Sequence, residues 1–290
     1  MLIVMITFSF EYYAPTTLSE ALDLLSNEGY VPILGGTDLV VKMRACKIKP
    51  KAVVDLKKIK DLHTVNYDNE KLVIGAAVTL NELLEEYDIV RRNFNVLYQG
   101  MKVVGAYQTR NRATLAGNIA NSSPAADTVP ALLTYDAKLR LISKDEERLV
   151  ELKDFFLGPG KNILKSGEII HSIIIPNVGT HVGKYYKISR VRMVDLSTIG
   201  VALTIIDPDG KRDIRVALAS VAPTPIRVFE AEEFIRNKEL TKENVEKFAK
   251  MVADATSPIT DTRGSAEYRK KMAEVLPKRI LRELGFLKEG

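Results

Sequence analysis

The chain has 290 residues, of which 46% are hydrophobic and 27% charged. That is the make-up of a globular protein with room for two or three domains and a sizeable core. Its net charge of +5 is spread along the sequence, without the clustered basic and aromatic residues of a nucleic-acid groove. The single cysteine, Cys46, excludes an internal disulfide and a four-cysteine iron–sulfur site within this sequence. His63, His171 and His181 lie far apart, without metal-site spacing, and are read as surface or hydrogen-bonded histidines. The opening MLIVMITFSF is too short to span a bilayer and lacks a basic leader and cleavage site. It is read as an N-terminal strand, with Met5 an alternative start, and the protein is expected to be cytoplasmic.

Thr17 to Gly29 reads as a helix, opened by a Thr17/Glu20 capping box, striped by Leu18, Ala21, Leu22 and Leu25, and stopped at Gly29. A short strand at Tyr30 to Leu34 runs into Gly35-Gly36-Thr37-Asp38, and Ala52 to Leu56 is a buried strand. This strand–helix–strand pattern implies a small α/β unit with a parallel sheet. From Leu62 the sequence reads as strand, turn at Asp68-Asn69, and strand. Thr79 and Glu82 make a second capping box, and Asp88 to Met101 reads as helical, ending near Gly100. After a stretch of small residues, Val129 onward is helix-like and Lys138 to Ser143 alternates as a strand. Gly158-Pro159-Gly160 marks a loop, and Glu168 to Pro176 is a strand. Gly179 to Gly183 looks like a hinge into a third unit. There a strand-rich stretch with a Pro208-Asp209-Gly210 turn is followed by three helices, at Val228 to Asn237, Thr241 to Ala255 and Ser265 to Leu284.

Two segments carry the chemistry. ATLAGNIANSSPAAD, from Ala113 to Asp127, has no aromatic and no basic residue, and Asp127 is its one charge. Small side chains let a backbone approach a ligand closely, and Gly, Asn and Ser turns free N–H groups for an anion. Alone, it reads equally well as a turn between two elements. The second segment, PILGGTDLV from Pro32 to Val40, makes a pair of phosphate-cradling loops and points to a dinucleotide held between two units. Neither a Rossmann nor a Walker pattern is present, and no nucleophile elbow or marked carboxylate pair occurs.

GGTDLVVKMR (Gly35 to Arg44) and TLAGNIANSSPAAD (Thr114 to Asp127) resemble the two FAD-binding motifs of the flavin subunit of the molybdenum hydroxylases, the xanthine dehydrogenase and aerobic carbon monoxide dehydrogenase type. FEYYAPTTLSEALDLL, YYKISRVRMVDLSTIGVAL and DTRGSAEYRKKMAEVL extend the resemblance over nearly the whole chain. It implies an α+β architecture: a two-part FAD-binding fold of the vanillyl-alcohol-oxidase/PCMH type, then a C-terminal antiparallel sheet with a helical bundle. The implied units are residues 1–60, 61–178 and 179–290.

The resemblance also implies which residues meet the FAD. Pro32, Ile33, Leu34, Gly35, Gly36, Thr37, Asp38 and Leu39 would hold the pyrophosphate with backbone amides, and Thr114, Gly117 and Asn118 would form the second phosphate loop. Val104 and Gly105 would run beside the flavin. Asp127 would bond cofactor hydroxyls or the ring edge, Ile170 and Lys187 would lie near the isoalloxazine, and Leu196 over it. Read without the resemblance, Lys187 is a strand lysine at the surface, Asp127 a helix N-cap and Leu196 a core residue. Ala116 departs from the family's second glycine, which is tolerable at negative φ and strained at positive φ.

The implied function is electron transfer within a molybdenum hydroxylase complex, without a catalytic residue or metal ligand in this chain. A small [2Fe–2S] subunit would deliver electrons through FAD to an external acceptor, and a large molybdopterin subunit would oxidise the substrate. No nucleic acid and no membrane insertion are expected. Two alternatives stand beside this one: a free-standing FAD-dependent oxidoreductase of the same fold, and a flavin-less nucleotide-binding module.

Overall fold

The computed structural model describes residues 6–191 and 194–287. Most of the expected N-terminal strand, with Met5, lies outside them, and residues 6–10 carry no strand. The first layer comprises β1 (Glu11–Tyr13), α1 (Leu18–Leu25), β2 (Tyr30–Ile33), α2 (Leu39–Arg44) and β3 (Ala52–Asp55). β3 is central and pairs in parallel with β1 and β2. Thr17 caps α1 by accepting the Glu20 N–H at 3.3 Å. The reciprocal arm is shifted by one residue, because the Glu20 carboxylate accepts from the Thr16 N–H. The helix stops at Leu25, well before Gly29, and Gly29 instead supplies the positive φ (+85°) of the turn into β2.

The second layer runs through β4 (Val65–Tyr67), β5 (Lys71–Gly75), α3 (Leu80–Glu85), α4 (Asp88–Asn93), α5 (Asn95–Lys102), α6 (Tyr107–Arg110), α7 (Leu115–Ala120), α8 (Val129–Thr134), β6 (Lys138–Ile142), β7 (Glu147–Glu151), β8 (Phe156–Gly158), β9 (Lys161–Asn162) and β10 (Ile169–Pro176). Its antiparallel sheet has the order β4-β5-β10-β6-β7. The Thr79/Glu82 capping box forms in full, with bonds of 3.2 and 2.6 Å. The stretch read as one helix from Asp88 is two, broken at Phe94 (φ −137°, ψ 46°). The Phe94 ring is buried edge-on between Tyr67 and Tyr135. Gly100 does not end a helix but sits inside α5, where a Cβ would come within 2.8 Å of the Asp127 carbonyl oxygen. A small residue is needed there because the second motif packs directly on α5.

The third layer has β11 (His181–Ile188), β12 (Ile199–Ile206), β13 (Asp213–Ala219) and β14 (Ile226–Arg227) in antiparallel order, then α9 (Phe229–Ile235), α10 (Lys242–Asp254) and α11 (Ala266–Glu283). Gly183, read as part of a hinge, lies within β11 opposite Thr204. Alternation on β12 sends Ile199, Val201, Leu203 and Ile205 into a core shared with the three helices. Tyr185, Ala202 and Ala217 belong to the core of the second layer. Small side chains on that face let α5 and α8 approach. Arg215 and Arg227 then donate to the carbonyls of Thr134 and Leu133 at the end of α8, at 2.9 and 3.0 Å, and both pair with Asp136. No helix among the described residues is long and apolar enough to cross a membrane.

Candidate functional site

The first motif leaves β2 at Ile33 and enters α2 at Leu39, with Gly36 at φ +70°. Among the described residues, the backbone N–H groups of Gly35, Gly36, Thr37 and Asp38 donate to no group of the chain. A row of free amide donors along a concave wall is an anion cradle. The loop is held from behind: Lys57 donates to the Leu34 carbonyl at 3.0 Å and to Asp55 at 2.6 Å, and Tyr12 donates to the other Asp55 oxygen at 2.5 Å. Burial pushes the Asp55 carboxyl up, but these two donors outweigh it and hold the group below the usual carboxylate range.

The second motif forms α7 and the loop after it. Thr114 caps α7 by accepting the Gly117 N–H at 3.0 Å. Ala116 is helical at negative φ, so its methyl is carried without strain. Two contacts bind the motifs together. Lys42 in α2 donates to Asn121 Oδ1 at 2.6 Å. Gly35 lies flat against the second segment, where a Cβ would overlap the Arg112 carbonyl and stand 2.6 Å from its carbon. Gly35 therefore serves loop-against-loop packing, and the sequence alone reads it only as ligand-facing.

The third wall is the turn at Val103 to Gly105 together with β11. Lys187 donates to the Val103 carbonyl at 2.9 Å and to Asp127 Oδ2 at 2.8 Å. Arg110 donates to the Val104 carbonyl at 3.0 Å and is itself held by Asn81. Asp127 Oδ1 accepts from Tyr185 at 2.8 Å and from Ser197. Burial and the Asp127 charge push the Tyr185 phenol well above its ordinary value, so it stays a donor. The Lys187 side chain is thus largely covered, unlike that of a surface lysine. Asp127 is not a helix cap: Thr128 holds the N-cap position of α8 and no side chain caps it.

These walls enclose one cavity of about 670 Å³, within the range of small-molecule and cofactor sites. Pro32 through Leu39, Val104, Gly105, Thr114, Gly117, Asn118, Asp127, Ile170, Lys187 and Leu196 all line it. So do Lys42, Asn121 and Ser123, which the motif reading passes over, and Glu168. Glu168 is locked by a two-pronged bond to Arg148 at 2.7 and 2.8 Å. Leu196 is no core residue, for 57% of it is exposed at the rim. Free amide donors on one stretch and Ile33, Leu34, Leu56, Ile169 and Ile170 on another suit a ligand with an anionic part and a flat apolar part.

Comparison with known proteins identifies the family and its cofactor. The family model described as the FAD binding domain in molybdopterin dehydrogenase matches residues 8–178, and that of the CO dehydrogenase flavoprotein C-terminal domain matches residues 184–284. The chain belongs to the FAD-binding medium subunits of the molybdenum hydroxylases. It is 31% identical to the nicotinate dehydrogenase FAD-subunit of Eubacterium barkeri, over 93% of this chain and 94% of that one. It is also 31% identical to the carbon monoxide dehydrogenase medium chain of Hydrogenophaga pseudoflava, over 96% and 97%. A solved structure of the carbon monoxide dehydrogenase from that organism superposes with a TM-score of 0.91 over 96% of this chain and 98% of that one. Quinoline 2-oxidoreductase from Pseudomonas putida 86, at 23% identity and TM-score 0.89, shares the fold.

As a medium subunit of this family, the protein is an FAD protein of oxidoreductase type. The free amide donors and apolar lining of the cavity suit that cofactor. Sequence reasoning missed residues outside the two FAD motifs that hold the site through side-chain hydrogen bonds: Lys57, Arg110, Thr128 and Tyr185. No local sequence pattern marks these bonds. Ser197, inside the VDLSTIG segment, lay within a matching motif but carried no role there.

Proposed function

We propose that FAD binds in this cavity. The amides of Gly35 to Asp38 and the turn of Thr114, Gly117 and Asn118 would hold its diphosphate. Val104, Gly105, Ile170, Lys187 and Leu196 would face its ring system. The observation that carries this is the convergence of both motifs, 79 residues apart at Lys42 and Asn121, on one wall with unpartnered amide donors. Bound FAD supplies the capacity to take electrons singly and release them in pairs. The Lys187 side chain, held by Asp127 and the Val103 carbonyl, would sit at the ring end, with Leu196 at the rim beside it.

We propose further that the chain works as the electron-transferring subunit of a complex in the cytoplasm. A small partner carrying [2Fe–2S] clusters supplies electrons, which leave to an external acceptor. A large molybdopterin partner performs the substrate oxidation. The names of relatives as medium chains and FAD-subunits support this, as does a sequence with one cysteine. We take residues 1–60, 61–178 and 179–290 as three units, the first two forming the FAD fold; the three-, five- and four-stranded sheets, one in each range, support this division. The test uses the lone FAD-loaded chain under anaerobic conditions. Dithionite should bleach the flavin, whereas aldehydes, purines and carbon monoxide should not. Bleaching by any of those substrates without a partner would replace the subunit by a free-standing oxidoreductase.

A further inference from the structure

Asn118 sits in the cavity wall with its carboxamide carbonyl already engaged. The Thr128 hydroxyl lies 2.7 Å from Asn118 Oδ1, and Thr128 is fully buried, with 0% exposure. Among the described residues the Thr128 hydroxyl has no other partner, and Asn118 Nδ2 has none. A carboxamide can present either its oxygen or its NH₂ to a ligand, and the network decides which. Were Asn118 turned over, its NH₂ would donate to Thr128, and the Thr128 proton would point into the core without an acceptor. That is the costly case of a buried unsatisfied donor. The observed orientation satisfies both groups and leaves the NH₂ of this cavity-lining residue free for a ligand acceptor.

We propose that Thr128 is a positioning residue that fixes Asn118 as a pure hydrogen-bond donor, so that this wall selects an acceptor atom of the bound cofactor. The inference rests on the reading of the cavity as the FAD site. Thr128 touches no ligand itself and acts only through Asn118. In that reading Asn118 belongs with the diphosphate half of FAD; the flavin half also presents oxygen acceptors, and the titration separates the two.

The experiment titrates the full chain, freed of flavin, with FAD, riboflavin and ADP, following protein fluorescence. Thr128→Val preserves shape and removes the hydroxyl, and it should weaken FAD binding about five- to tenfold, the worth of one hydrogen bond. Thr128→Ser keeps the hydroxyl and should stay within about twofold of the parent. Asn118→Asp retains an oxygen for Thr128 but turns the cavity-facing donor into an anionic acceptor, and should cost at least about tenfold. Loss on ADP alone places the acceptor on the diphosphate half, and loss on riboflavin alone on the flavin half. Full affinity in Thr128→Val or in Asn118→Asp would overturn the proposal, as would Thr128→Ser failing as badly as valine, or loss on FAD with neither fragment affected. Failure of the parent chain to bind FAD would instead bring down the cavity reading itself.

Discussion

The Lys187 ammonium lies 2.8 Å from Asp127 Oδ2 and 2.9 Å from the carbonyl oxygen of Val103. One charge thereby joins β11, the second motif and the turn before it. Both side chains are more than nine-tenths buried, so removing one partner strands the other. Asp127→Asn should destabilise the fold by about 3 kcal/mol, and Asp127→Asn combined with Lys187→Met should recover part of that loss. Chemical denaturation of the two single variants and the double variant checks the coupling. Additive losses would mean that the pair is not held in solution.

The two motif glycines should behave differently. Gly35→Ala drives a methyl into the Arg112 carbonyl, so it should lower the melting temperature and abolish FAD binding together. Gly117 is helical, and an added Cβ meets only Thr114 Oγ1, at 3.1 Å. Gly117→Ala should keep the fold, since alanine favours a helix by about 0.8–1.0 kcal/mol over glycine, and should weaken FAD binding alone. Thermal melts with and without FAD separate the two outcomes.

Much of the fold is legible in the sequence because the signals are local. The Thr79/Glu82 box, the β10 strand ending at Pro176 and the Pro208-Asp209-Gly210 turn between β12 and β13 all depend on residues within a few positions of one another. What the sequence hides is contact across the chain. Gly100 and Gly183 read as a helix end and a hinge, yet each sits inside an element because another backbone presses on it: Asp127 on Gly100 and Leu203 on Gly183. The site shows the same division. The motif residues are recognisable by composition, whereas Arg110 and Thr128 owe their roles to partners that only folding brings near.

Acid should loosen the wall that carries Glu168. Burial raises its carboxyl, but the Arg148 guanidinium and the Lys165 N–H outweigh this and hold it below its unfolded value of 4.5. A depressed folded value means that the stabilisation is present above pH 4.5 and is lost as pH falls through the folded value. Glu168→Gln should therefore be less stable than the parent at neutral pH. The gap should narrow progressively below about pH 4.5. Denaturation midpoints taken from neutral pH downward check this, and a gap that widens with acid would reverse the assignment.

The cofactor should be FAD held without a covalent bond, because neither motif contains a histidine or cysteine to attach it. Acid precipitation should release all flavin to the supernatant, and chromatography should identify it as FAD. FMN in the supernatant, or yellow pellet, would contradict the two-loop diphosphate site.

Amide hydrogen exchange of the full chain with and without FAD reads out where the cofactor lies. If the cofactor lies between the two motifs, the free amides of Gly35, Gly36, Thr37 and Asp38 and those opening α7 should slow sharply on binding. The amides at Val104 to Ala106 should slow with them, while the α9 to α11 bundle stays unchanged. Protection appearing on that bundle, with the two motifs exchanging as before, would place the cofactor elsewhere and contradict the account.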